Sequence, residues 1–212
     1  YLFALAMSVS LGLLSPAPAA PYQMENLGRG VVALRTSSSA VYVGWRQLGH
    51  DPSGIGYNVY RSANGGTAVK LNGSPITNST NFVDTSSTAS QTNVYTVRPV
   101  INGVEQAASA GFTLHANSAA TGYLRVPLMR PSGGTTPSGE TYTYSPNDCS
   151  VGDLDGDGEY EIVVKWDPSN AKDNSQSGYT GNVYLDAYTL NGTRLWRIGL
   201  GRNIRAGAHY TQ

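Results

Sequence analysis

Asp153-Leu154-Asp155-Gly156-Asp157-Gly158-Glu159-Tyr160-Glu161 is the stretch that decides the fold of this 212-residue chain. Three carboxylates at alternate positions, two glycines and a closing carboxylate form a cage for a hard, oxygen-seeking cation. Calcium takes about 6–8 oxygen ligands at roughly 2.3–2.6 Å, and a loop this acidic repels itself without one. Asp153, Asp155 and Asp157 can each turn an oxygen toward one centre. The Glu159 carbonyl can add another, and Glu161 one or two more. The glycines permit the positive-φ turns that bring these groups together. An EF-hand loop requires a bidentate acid at its twelfth position. Here that place is Val164, inside the apolar run Ile162-Val163-Val164. The loop therefore feeds a strand, as calcium turns do in β-propellers and other repeat proteins. A solvated acidic hairpin turn is the alternative, and a structural calcium defines no activity.

Around this loop the sequence reads as one β unit. Residues 149–152 form an inner strand, 160–166 a second, and 183–190 with 194–198 a hairpin about Asn191-Gly192. Four strands in that order describe one propeller blade. A lone blade cannot bury both faces, and repeat architectures need several neighbours. The chain is therefore read as a fragment whose propeller cannot close, and the fragment alone is expected to be inactive. Cys149 is the single cysteine, so no internal disulfide forms. Its place beside a strand predicts a small buried thiol.

Upstream, β-rich runs at 31–34, 41–45, 57–61, 81–83, 94–100 and 111–114 are separated by Gly, Asn, Ser and Pro. Trp45, Tyr57, Tyr60 and Tyr95 fit the core of a fibronectin- or immunoglobulin-like sandwich, and Asn102-Gly103 marks a hairpin turn. This region holds no acid cluster and no nucleophile–base pair, so its aromatics read as core rather than as a sugar-stacking surface. His50 and His115 stand alone in turn-like contexts. A Ser/Pro/Gly-rich boundary follows, in which Pro131-Ser132-Gly133-Gly134-Thr135-Thr136-Pro137 cannot sustain a helix or a central strand.

The first twenty residues carry an apolar run and then Ser15-Pro16-Ala17-Pro18-Ala19-Ala20, the pattern that ends a secretory signal peptide. The uninterrupted apolar run is shorter than the ~20 residues that span a bilayer. A secreted, extracellular chain follows, with no membrane partner after signal removal. Lys plus Arg and Asp plus Glu both number 14, and 13% of residues are charged, so nothing points to nucleic acid. The domains are read as signal (1–20), sandwich (24–117), linker (118–139) and the start of a propeller (140–212), all-β throughout.

Longer tracts carry a family resemblance. They include Asn26-Leu27-Gly28-Arg29-Gly30, Tyr57-Asn58-Val59-Tyr60-Arg61, Gly133-Gly134-Thr135-Thr136-Pro137 and Tyr142-Thr143-Tyr144-Ser145. The tract from Asp167 to Gly181, joined to Asn203-Ile204-Arg205-Ala206-Gly207-Ala208-His209-Tyr210-Thr211-Gln212, is the specific part; the acidic loop alone is shared with many repeat proteins. The chain resembles the family 11 polysaccharide lyases, the bacterial rhamnogalacturonan lyases, departing from their usual alanines at Pro146 and Cys149. The resemblance implies an N-terminal sandwich and an eight-bladed propeller with many calcium ions. It also implies endo-acting β-elimination in rhamnogalacturonan I, a pectic polysaccharide, between rhamnose and galacturonate. A base removes the proton beside the uronate carboxylate, the C4 oxygen leaves, and an unsaturated uronate remains. Cationic groups on the carboxylate stabilise such a transition state.

Asp153, Asp155, Asp157, Glu159 and Glu161 form the first calcium set, with Asp148 completing it or standing behind it. Asp173 and Asn174 are candidates for a second ion, or parts of an ordinary polar loop. By resemblance, Asn147 and Asp167 face the sugar or a site ion, although Asp167 can also cap the turn at Pro168. Arg205 is a candidate uronate clamp. His209 is a candidate base, ligand or orienting group, with a packed histidine as the alternative. Lys165 alternates with Val163 and reads as a snorkelling or paired lysine. The protein is expected to act as a monomer. The rival reading is a calcium-stabilised carbohydrate-binding or adhesion propeller without chemistry.

Overall fold

The computed structural model of the chain describes residues 25–202 and 204–207. The proposed signal segment and His209 lie outside the described residues. Among the described residues every regular element is a strand, and no helix is long and apolar enough to cross a membrane.

The first unit has eight strands: β1 (Val32–Arg35), β2 (Val41–Gly44), β3 (Gly56–Ala63), β4 (Val69–Lys70), β5 (Asn81–Asp84), β6 (Asn93–Ile101), β7 (Val104–Glu105) and β8 (Phe112–Leu114). One antiparallel sheet runs β1-β2-β5. The other runs β4-β3-β6-β7, with β8 also paired to β6. Alternation decides which face is buried: Val41 and Val43 point inward while Tyr42 points out, and Tyr95 and Val97 do the same from β6. Trp45 and Tyr57 meet at 5.3 Å between ring centroids, among Ala33, Val59 and Leu114. The Asn102-Gly103 turn takes positive φ at both residues (50° and 79°), as a type I′ hairpin requires.

A small hairpin, β9 (Gly134–Thr135) with β10 (Thr141–Tyr142), leads into the second unit. A Cβ at Gly133 would stand 2.2 Å from the Tyr142 carbonyl oxygen, so only glycine allows this approach. The second unit is a four-stranded antiparallel meander of β11 (Tyr144–Gly152), β12 (Glu161–Pro168), β13 (Tyr184–Tyr188) and β14 (Arg194–Gly199), paired in that order. On β12, Val164, Trp166 and Pro168 are buried while Val163, Lys165 and Asp167 alternate with them. Tyr144, Val164, Trp166 and Tyr188 make the core of this sheet, with Val126 and Tyr142 packed against them.

Three expectations change. Tyr60 lies outside the sandwich core, because alternation along β3 turns it away from Tyr57 and Val59, and its hydroxyl donates to Glu105 at 2.8 Å. The inner strand begins at Tyr144, five residues earlier than the apolar pattern suggests, because pairing with β12 holds Ser145 and Pro146 extended. Cys149 is exposed rather than buried, because β11 is an edge strand of its sheet among the described residues and most of its side chains face solvent.

Each unit buries an aspartate carboxylate among hydrogen-bond donors. Asp84 accepts hydrogen bonds from Tyr95 Oη (2.9 Å), Arg61 Nη1 (2.5 Å) and Ser86 N (2.8 Å). Asp186 accepts from Trp166 Nε1 (2.8 Å), Tyr188 Oη (2.6 Å) and Arg197 Nε (2.6 Å). Burial opposes both charges, but these donors outweigh it and hold both carboxyls below the ordinary range. A lowered folded pKa gives stability that is full above the unfolded value, about 3.9, and lost as pH falls through the folded value. Acid unfolding below about pH 4 is therefore expected, with Asp84→Asn flattening its share of the slope in urea titrations run against pH. Independently, Trp45→Ala should cost about 3–5 kcal/mol, whereas the outward Tyr42→Ala should cost far less; equal losses would contradict the assigned core.

Candidate functional site

The acidic turn joins β11 to β12. Leu154 N donates to Glu161 Oε2 at 2.9 Å, Gly156 N to Asp153 Oδ1 at 2.7 Å, and Gly158 N to Asp153 Oδ2 at 3.0 Å. Gly156 and Gly158 take φ of 80° and 90°, as the alternation of acid and glycine requires. Ligand oxygens of Asp153, Asp155 and Glu161 lie within 4.8 Å of one another. Glu161 is only 2% exposed. Burial, and then the negative charges of Asp155, Asp157 and Asp153, raise its pKa against the help of the Leu154 amide. The turn thus concentrates negative charge around a buried carboxylate, an arrangement a divalent cation offsets. The donor set fits calcium: all oxygen, mostly carboxylate, and closed by a buried acid.

The remaining residues of the set act differently. Asp157 Oδ1 accepts from Glu159 N at 2.8 Å. The Glu159 side chain turns toward the sandwich, where Gly30 N donates to it at 3.3 Å and Arg46 Nη1 stands 3.8 Å away. Arg46 also donates to the Gly158 and Gly28 carbonyls at 3.2 Å each, and its guanidinium lies 4.2 Å from the Tyr160 ring centroid. Gly28 N donates to Gly158 O at 2.6 Å, and Asp153 N to Glu25 Oε1 at 3.1 Å. The turn is therefore also the contact between the two β units. Beside it runs a cleft of about 810 Å3, bordered by Arg35, Phe112, Tyr123 and Tyr160.

Asn147 and Asp167 meet at the other end of the sheet. Asp167 pairs with Ser145 and Glu161 with Gly152. Six residues of strand at about 3.3 Å each put Asp167 roughly 20 Å from the turn, so a cation in the turn cannot also touch a ligand at Asp167. A bulge between Pro146 and Cys149 sets Asn147 and Asp148 opposite Lys165. It lets Asn147 Nδ2 reach Asp167 Oδ2 at 3.0 Å. Lys165 Nζ stands 3.4 Å from Asp167 Oδ1. Arg205 forms an isolated bridge with Asn182, two residues before the Tyr184–Trp166 pair, and so lies at this same end. The separation into an acidic end and a polar end is the main geometric fact about the sheet.

Asp148 is not among the acids that converge in the turn, and Asp173 and Asn174, the candidates for a second ion, lie in the loop between β12 and β13. Asp148 sits exposed in the bulge, and Asp173 Oδ1 is engaged by Ser175 N and Oγ at 2.9 and 2.8 Å in a local turn. Sequence reading missed Arg46 and Glu25, which grip the turn from more than a hundred residues away and carry no local signal. The sequence suggests a snorkelling or paired lysine at 165 without naming its partner, which is Asp167, two residues on along the same strand face.

The fold is that of the N-terminal region of polysaccharide lyases of known structure. The chain aligns with the crystal structure of rhamnogalacturonan lyase YesW at a TM-score of 0.75 and 56% identity, covering 90% of this chain and 30% of that one. Against the exotype rhamnogalacturonan lyase YesX the TM-score is 0.73 at 50% identity, covering 87% and 29%. Among curated relatives, rhamnogalacturonan endolyase YesW of Bacillus subtilis (strain 168) is 56% identical over 196 residues, 92% of this chain and 30% of the relative. Residues 22–114 match the family described as rhamnogalacturonan I lyases beta-sheet domain, and 123–212 match the C-terminal domain of rhamnogalacturonan lyase family 11. The chain belongs to rhamnogalacturonan lyase family 11. It spans about 30% of the length of the relatives it matches.

Gly158→Ala separates the two duties of the turn. A Cβ there meets Gly28 N at 2.9 Å as well as the positive φ, whereas at Gly156 the space is open. Gly156→Ala should cost about 1–2 kcal/mol from φ alone. Gly158→Ala should cost more, and should also speed protease cleavage between the β units; equal cleavage in both variants would rule out the close approach as the interdomain lock.

Proposed function

We propose that the whole protein of which this chain is part is a secreted rhamnogalacturonan lyase, cutting rhamnogalacturonan I between rhamnose and galacturonate by β-elimination. The observation that carries this reading is the 56% identity to rhamnogalacturonan endolyase YesW, which runs over 92% of the chain and through both β units. In this reading the four-stranded sheet is the first blade of a propeller. Asn147 and Asp167 face the sugar at one end, with Arg205 beside them as the uronate clamp.

Asp153, Asp155 and Glu161, joined by Asp157 and the Glu159 carbonyl, hold calcium at the opposite end. There the ion supplies positive charge that offsets the crowded carboxylates and stiffens the turn. Asn147 fixes one oxygen of Asp167 by hydrogen bonding. The sandwich grips the turn, so it supports the site from the side away from the substrate.

The test is the full-length protein incubated with rhamnogalacturonan I, read by the ultraviolet absorbance of newly formed unsaturated ends. Absorbance should rise, and Asp167→Asn should lower kcat/KM by about 10²–10³-fold. Binding without any unsaturated product would overturn the lyase reading in favour of a carbohydrate-binding propeller. The cation is tested on this chain alone. At about 100 times its Kd, calcium should add about 2.7 kcal/mol to unfolding, and Glu161→Gln should remove most of that gain. A thermal midpoint indifferent to calcium and chelator would remove the ion from the account while leaving the lyase standing.

A further inference from the structure

Lys165 is a lysine in an unusual place. It sits in the middle of β12 with its side chain only 11% exposed. Its cross-strand neighbour on one side is Leu185, and on the other it faces the two bulged residues Asn147 and Asp148. Strand alternation puts it on the same face as Asp167, two residues on, and its Nζ stands 3.4 Å from Asp167 Oδ1. That oxygen is buried and accepts no hydrogen bond from the described residues. The other oxygen, Oδ2, is held by Asn147 at 3.0 Å. The Asp167 carboxylate is thus fixed at both oxygens, by an amide on one side and an ammonium on the other.

The ammonium has a second consequence. A polyuronate carries a negative charge on every galacturonate, and a bare aspartate at the sugar-facing end would repel it. Half-buried charges are poorly screened, so such repulsion acts over several ångströms. Lys165 cancels the charge of Asp167 locally, and the carboxylate oxygen that accepts from Asn147 keeps a second lone pair for a sugar hydroxyl.

We propose that Lys165 is a positioning residue for the reaction: it sets the plane of the Asp167 carboxylate and neutralises its charge, so that an acidic glycan can approach. This rests on the reading of Asp167 as a substrate-facing group. Lys165 acts through Asp167 and not on the sugar, which makes three consequences specific. Lys165→Met in the full-length protein should raise KM for rhamnogalacturonan I about tenfold or more, a change of about 1.4 kcal/mol. Because the defect is repulsive, it should shrink as ionic strength rises. Lys165→Arg should restore most of the loss, since a guanidinium supplies the same charge to the same oxygen.

The decisive measurement is the double-mutant cycle. If Lys165 acts through Asp167, Lys165→Met added to Asp167→Asn should cause little further loss. Additive losses, or a KM for Lys165→Met that equals wild type while Asp167→Asn is impaired, would overturn the proposal. Full activity in Asp167→Asn would instead sink the assignment of Asp167, and absence of unsaturated product from the wild type would sink the lyase reading. A drop in thermal midpoint for Lys165→Met without the salt-dependent KM would mark the residue as structural only, also against the proposal.

Discussion

Mutual repulsion among the carboxylates of one turn is the constraint on which the rest of the structure hangs. Asp153, Asp155 and Glu161 bring their oxygens within 4.8 Å, and Glu161 does so while buried. The backbone relieves part of this load by aiming the Leu154, Gly156 and Gly158 amides at carboxylate oxygens. Arg46 relieves another part from the sandwich, by bonding to the Gly158 carbonyl and lying over Tyr160. The remainder is a charge that a divalent cation would offset. The same turn therefore sets the β11–β12 connection and the seating of the sandwich, so a change in its charge reaches both units at once.

The two ends of the four-stranded sheet divide the labour. One end carries dense negative charge and the interdomain contact. The other carries Asn147, Lys165, Asp167 and the bridge to Arg205, a balanced set of donors, acceptors and opposite charges. A strand of eight residues separates them, which is long enough to keep the electrostatics of one from dominating the other. The large cleft beside Tyr123 and Tyr160 belongs to the acidic end. It lies on the opposite side from Asp167, so its size says nothing about where a sugar would react.

Much of this was readable from the chain. β-rich runs bounded by Gly, Asn, Ser and Pro located β2 and β6, and Trp45, Tyr57 and Tyr95 were legible as core. The acidic turn was readable because its ligands are contiguous, so spacing alone places them around a centre. The first half of β11 was not, since Ser145, Pro146, Asn147 and Asp148 have no strand pattern and are held extended by their neighbour. The exposure of Cys149 was missed for the same reason: a residue type usually buried says little when its strand is the sheet's edge. Arg46 was invisible because its partners are 112 residues away and nothing local announces them.

The irregularity in β11 has one more consequence, which concerns association rather than chemistry. A nine-residue outer strand offers a row of open amides and carbonyls to any extended peptide that drifts past. Pro146 removes one donor from that row, and the bulge that follows it throws the remaining groups out of step. A second strand adding there would lose its register within a few residues. The kink that brings Asn147 to Asp167 therefore also acts as a guard against sheet-to-sheet aggregation, and straightening it would put solubility at risk as well as the site.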